Sequence, residues 1–68
     1  MEIFVKRLKE LRKEKSLTQL QLSQATGISV SAISSWENST RIPSILALAT
    51  LAKFFEVSSD YLLGLSDI

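Results

Sequence analysis

The sequence predicts an all-α fold: a compact domain of five short helices spanning residues 1–68. Three features predict it. Apolar residues recur at spacings of three and four along the chain, the period of a helix with one buried face. A hydroxyl residue, Thr18, Ser29, Ser44 or Ser58, stands ahead of each helical segment after the first, where it can accept a hydrogen bond from a free backbone N–H. No segment shows the strict alternation of a half-buried strand.

The first helix is expected over Glu2 to Lys15. Phe4, Leu8 and Leu11, with Val5 beside them, make its apolar stripe, and Lys and Glu fill the other face. Glu2–Lys6 and Lys6–Glu10 have the i,i+4 spacing of helical ion pairs. The second helix begins at Thr18. Thr18-Gln19-Leu20-Gln21 is a capping-box pattern, with Leu17 in the place of a hydrophobic staple. It runs to about Thr26, and Gly27 supplies the left-handed backbone of a tight turn. Ser29 caps a third helix reaching about Asn38. Ile33 and Trp36 share its buried face, and Val30, Ser31, Ser34 and Ser35 lie on the others. A polar loop ends in the only proline, Pro43. Ser44 caps a fourth helix whose buried stripe is expected to be Ile45, Leu48, Leu51, Ala52 and Phe55, and Ser58 caps a short fifth helix ending at Gly64.

Composition excludes several classes of function. The chain has no histidine and no cysteine, so it lacks imidazole bases, thiolate nucleophiles and the commonest zinc ligands. Its seven acids lie in separate segments without a catalytic pairing, and no glycine-rich phosphate loop occurs. The chain is read as not an enzyme, with no cofactor and no metal. No apolar run approaches the roughly 18 residues of a membrane span, and the N-terminus lacks a signal-peptide pattern. A soluble, cytoplasmic protein without a membrane partner is expected. The net charge is only +1, yet six of the eight basic residues fall in the first fifteen positions, while Glu56, Asp60 and Asp67 make the C-terminal end acidic. One end can attract phosphate where the other does not.

Thr18 to Glu37 is the informative stretch: two short capped helices joined by a glycine turn, about residues 18–37. Small polar side chains cover the free side of the second helix. A helix fits the B-DNA major groove, and short side chains let it approach the base edges closely. The first helix of the pair lies across the backbone, where its free N–H groups can meet a phosphate.

In order and spacing the chain resembles the Cro/C1-type helix-turn-helix domain, or XRE family, of phage repressors and small bacterial regulators. The resemblance rests on Leu8-x-x-Leu11-Arg12, Leu17-Thr18-Gln19-x-x-Leu22-Ser23-x-x-x-Gly27-Ile28-Ser29 and Ile33-Ser34-x-Trp36-Glu37-Asn38. Arg41-Ile42-Pro43-Ser44, Leu48-x-x-Leu51-Ala52 and Val57-Ser58-x-Asp60-Tyr61-Leu62-Leu63-Gly64 extend it over nearly the whole chain. It implies a lambda-repressor-like fold and a bacterial or phage-encoded transcriptional regulator that binds double-stranded DNA. Val30, Ser31 and Ser35 match base-reading positions, Ser34 one that touches backbone or bases, and Gln19 one that contacts phosphate and can reach a neighbouring base. Arg12, Thr18, Ser29, Asn38, Thr40 and Arg41 match positions at the phosphates. Arg12 and Glu37 match a family pair that forms a salt bridge beside the DNA backbone. Ser23 stands where alanine is more usual.

The third helix departs from the family's strongest readers: Val30 to Glu37 contains no Arg, Lys, Gln or Asn. Bidentate reading of guanine or adenine therefore cannot come from it. Val30 is expected to meet a thymine methyl, and the serines to make single or water-mediated hydrogen bonds, helped by DNA shape. The lysine-rich first helix is read as largely solvated, with Lys6, Arg7 and Lys9 solubilising, and Arg12 and Lys15 nearest DNA. A homodimer on a near-palindromic operator is expected, with Tyr61, Leu65 and Ile68 as its apolar contact, acting as a repressor without a small-molecule effector. An antitoxin or restriction–modification controller would bind DNA the same way. The rival class is a protein- or membrane-surface interaction module using the basic, amphipathic first helix without a DNA role.

Overall fold

A computed structural model describes residues 1–68 and contains five helices: α1 (Glu2–Glu14), α2 (Gln19–Thr26), α3 (Val30–Glu37), α4 (Ile45–Phe55) and α5 (Ser59–Leu63). There is no strand, so the fold is all-α, as the spacing predicts. No helix is long and apolar enough to cross a membrane.

Hydroxyl caps set the starts of α2 to α5. Thr18 Oγ1 accepts from the Gln21 N–H at 3.0 Å, and Gln21 Oε1 accepts from the Thr18 N–H at 2.9 Å, which completes the capping box. Ser29, Ser44 and Ser58 accept from the N–H groups of Ala32, Ala47 and Tyr61 at 3.1, 3.1 and 2.9 Å. Each of these bonds satisfies a helix-end donor and contributes about 1 kcal/mol.

The C-termini follow a rule that the sequence signals only in part. After α1, α3, α4 and α5 the chain turns at a residue of positive φ, respectively Ser16, Ser39, Glu56 and Gly64. The next N–H then reaches back five residues, as Leu17 to Arg12, Thr40 to Ser35, Val57 to Ala52 and Leu65 to Asp60. This is the Schellman arrangement. Only one of the four turn residues is glycine, so three of these ends carry no glycine mark. α1 accordingly stops at Glu14, one residue before the expected Lys15.

Gly64 is held to glycine twice over. Its φ is +81°, and a Cβ there would lie 2.8 Å from Ile3 Cγ2, where α5 meets the start of α1. Gly27 has φ +77° but open space around it. Gly64→Ala is therefore expected to lose about 2 kcal/mol and to lower the thermal midpoint by roughly 10 °C. Gly27→Ala bears only the backbone part, about 1 kcal/mol. Thermal melts followed by circular dichroism compare them; equal losses would remove the Ile3 contact from the account.

One core forms from all five helices: Phe4 and Leu8 of α1, Leu22 of α2, Ile33 and Trp36 of α3, Leu51, Ala52 and Phe55 of α4, and Leu62 of α5. The Phe4 and Trp36 rings meet edge to face at 6.2 Å and 71°. Leu11, Leu17 and Leu48 pack against this core without being fully buried. Ile45 corrects the expected stripe: it is 86% exposed. Its spacing puts it on the Leu48 face, but Ile42, Ile45 and Leu46 lie in solvent, and the core contact of α4 begins at Ala47 and Leu48.

Two further expectations change at the surface of α1. Neither Glu2–Lys6 nor Lys6–Glu10 closes; the ion pairs are Arg7–Asp67 and Arg12–Glu37. Arg7 is not a solvated charge. Its guanidinium stacks 4.1 Å from the centre of the Tyr61 ring and donates to the carbonyl oxygens of Tyr61 and Ser66. The packing of α5 on α1 brings these carbonyls to Arg7, a contact across more than fifty residues.

Candidate nucleic-acid interface

The face of interest is built from α2, the turn at Gly27 and α3. Gly27 closes α2 with its N–H on the Ser23 carbonyl at 2.8 Å. The chain leaves in a direction that lets Ser29 cap α3 at once. α3 is tethered by Ile33 and Trp36, 0% and 5% exposed. Anchoring one side of an eight-residue helix forces the other side outward. Val30 and Ser31 are exposed there, Ser34 and Ser35 half-buried, and Asn38 exposed at the end.

A charged cluster holds this face against α1. Glu37 is buried, 5% exposed, and takes a two-pronged pair from Arg12: Nε to Oε2 at 2.8 Å and Nη2 to Oε1 at 2.9 Å. Arg12 Nη1 donates to the Leu17 carbonyl at 2.7 Å. Gln19 Nε2 donates to the same Glu37 oxygen, Oε1, at 3.2 Å. α1, the start of α2 and the end of α3 thus meet on one carboxylate, and no buried side-chain polar atom lacks a partner. Burial pushes the Glu37 carboxyl up, but hydrogen bonds from Arg12 and Gln19 and the charges of Arg12 and Lys9 outweigh it and hold the group below its ordinary value. The bond to Glu37 raises the Arg12 guanidinium above its own ordinary value, against the opposing effect of burial.

These bonds decide what each side chain has left to offer. A guanidinium has five N–H donors, so Arg12 retains one on each terminal nitrogen after its three bonds within the chain. Gln19 has its amide nitrogen on Glu37 and keeps its oxygen. The Thr18 and Ser29 oxygens accept from backbone N–H groups, which leaves their protons for an outside acceptor. Thr40 differs: its hydroxyl donates to the Ser35 carbonyl at 3.1 Å and serves the end of α3. Asn38 Nδ2 reaches Ser34 Oγ at 3.4 Å. Arg41 is exposed in the loop that follows. Lys15 is exposed, its ammonium 5.9 Å from the Phe54 ring centre.

Tyr61 is half-buried under Arg7, whereas Leu65 and Ile68 are 75% and 88% exposed. Lys9, read from sequence as a solubilising residue, lies close enough to Glu37 to favour its charge. The available signal was its spacing, three residues before Arg12 on one helix face.

A family model described as helix-turn-helix matches residues 8–62, the span that holds this cluster and all of α2 and α3. The chain belongs to the helix-turn-helix family of the Cro/C1 type. This is a family of non-enzymatic DNA-binding proteins. Among curated relatives, an uncharacterised HTH-type transcriptional regulator of Bacillus subtilis, YobD, is 38% identical over 65 residues, covering 96% of this chain and 58% of its own. The HTH-type transcriptional activator BcrR of Enterococcus faecalis is 42% identical over 61 residues, 90% of this chain and 30% of that protein. A third helix-turn-helix relative, the uncharacterised regulator YazB of Bacillus subtilis, is 36% identical over 61 residues, 90% of this chain and 88% of its own. The chain thus spans 58% of YobD and 30% of BcrR. No solved structure matches it significantly.

Proposed function

We propose that this helix-turn-helix chain binds a near-palindromic duplex operator as a homodimer and represses transcription by occupying it. The observation that carries this is the two-sidedness of α3: Ile33 and Trp36 lie in the core, and a low surface of Val30 and serines faces out. In this reading Val30, Ser31, Ser34 and Ser35 meet base edges, and Thr18, Ser29, Asn38 and Arg41 meet phosphates. Arg12 adds its two remaining N–H groups. Gln19 acts mainly through Glu37, keeping the start of α2 in register with α3, and Thr40 positions the end of α3.

The dimensions allow a pair of copies. One copy measures 28 × 23 × 20 Å, so two fit side by side with their reading helices about 34–36 Å apart, one DNA turn. The exposed Leu65 and Ile68 would meet their twins across the two-fold axis.

Selection of bound sequences from a random duplex pool tests the reading. Symmetric winners support it; no retained duplex in dilute salt refutes it. If each subunit makes about three phosphate contacts, the log–log salt slope is roughly −5. Arg41→Ala is then expected to weaken binding to all sequences and to reduce that slope by roughly 2, one contact per subunit. An unchanged slope would take Arg41 off the phosphate backbone. A relative is named an activator, so the sign of regulation is read with a promoter reporter: repression supports this proposal, and activation replaces it with the second reading, a regulator that recruits.

A further inference from the structure

The polarity of a single hydroxyl carries an inference that rests on the DNA-binding reading and deepens it. Ser35 Oγ donates its proton to the Ser31 carbonyl one turn back, at 2.8 Å. The Ser35 peptide is itself held: its carbonyl accepts from the Thr40 N–H at 2.9 Å and from Thr40 Oγ1 at 3.1 Å. A serine hydroxyl has one proton and two lone pairs. With the proton committed along a tethered helix, only lone pairs are left to face outward. We propose that Ser35 reads the major groove as an acceptor, taking an exocyclic base amine, adenine N6 or cytosine N4, on the strand it faces.

The preference follows from counting bonds. Accepting from a base amine adds one hydrogen bond and keeps the bond to Ser31. Donating to guanine O6, guanine N7 or thymine O4 requires the hydroxyl to turn and give up the Ser31 bond for another of the same kind. The difference is one hydrogen bond, worth roughly three- to tenfold in affinity. The bond that Ser35 donates also polarises its oxygen and improves it as an acceptor. This provides a directional contact from a helix that has no amide or guanidinium reader before Asn38.

The test uses the full chain and an operator selected from random duplexes. Ser35→Ala, a helix-compatible change at a half-buried position, identifies the base pair whose preference relaxes. That pair is then altered one group at a time. Removing the amine, by purine for adenine or 2-pyrimidinone for cytosine, is expected to weaken the wild-type chain roughly three- to tenfold more than the Ser35→Ala chain. Removing N7 or the keto oxygen is expected to affect the two chains equally. A larger wild-type loss on removing N7 or the keto oxygen overturns the proposal, as does a Ser35→Ala chain that selects the same operator with the same affinity. Each leaves the functional reading standing. Failure of the wild-type chain to retain any duplex overturns both.

Discussion

Trp36→Ala unfolds most of the chain at physiological temperature. The side chain is 5% exposed and meets the Phe4 ring edge to face, so its removal leaves a cavity in the shared core and costs about 3–5 kcal/mol. A chain of 68 residues holds only about 3–10 kcal/mol in total. It has no disulfide to limit the unfolded state, because it has no cysteine. The far-UV circular dichroism signal should fall and the urea midpoint should move towards zero. DNA binding should disappear with it, because α3 is held outward by the same residue that fills the core. A variant that melts like the wild type would mean that α3 is not anchored through Trp36.

Glu37→Gln is the second large effect, and it changes the response to pH as well as stability. Removing the carboxylate leaves the Arg12 guanidinium, whose side chain is 14% exposed, without its counter-charge, which costs roughly 3 kcal/mol. The sign of the pH effect follows from the lowered value of the Glu37 carboxyl in the fold. In the unfolded chain the group has its ordinary value, so the folded state binds the proton less readily. Its stabilising contribution is complete above the ordinary glutamate range. It is lost as pH falls through that range to the lower folded value. Urea melts of the wild type across the acid range should show this decline, and Glu37→Gln should flatten that part of it. An equal decline in both would assign the acid sensitivity to other carboxylates.

The double change Arg12→Met/Glu37→Leu separates stability from positioning. With both charges gone no buried ion is left unpaired, and much of the stability should return. On the proposed reading DNA affinity should not return, because Gln19 loses its anchor on Glu37 and the guanidinium proposed to meet a phosphate is gone. Recovery of both would reduce the cluster to a purely structural element.

The helices and their starts were legible because their causes are local. The Thr18–Gln21 box and the Ser29, Ser44 and Ser58 caps act within one turn. The spacing of Ile33 and Trp36 states which side of α3 is buried wherever the helix sits. The family pattern likewise pairs Arg12 with Glu37, and the structure places them together. Three helix ends were silent, because Ser16, Ser39 and Glu56 take a left-handed backbone without a glycine to announce it.

Other features depend on which helices lie side by side. Ile45 has the spacing of a core residue and lies in solvent, while Ala47 and Leu48 of the same turn pack against the core. Arg7 has the setting of a surface charge and is taken up by the carbonyls of Tyr61 in α5 and Ser66 beyond it. Gln19, matched to a base-reading position, turns its amide to Glu37, eighteen residues away. Periodicity and capping are properties of a few consecutive residues and survive in a reading of the chain alone. The partner of a long polar side chain is chosen among groups distant in sequence, and only the packing of the five helices brings them within hydrogen-bonding distance.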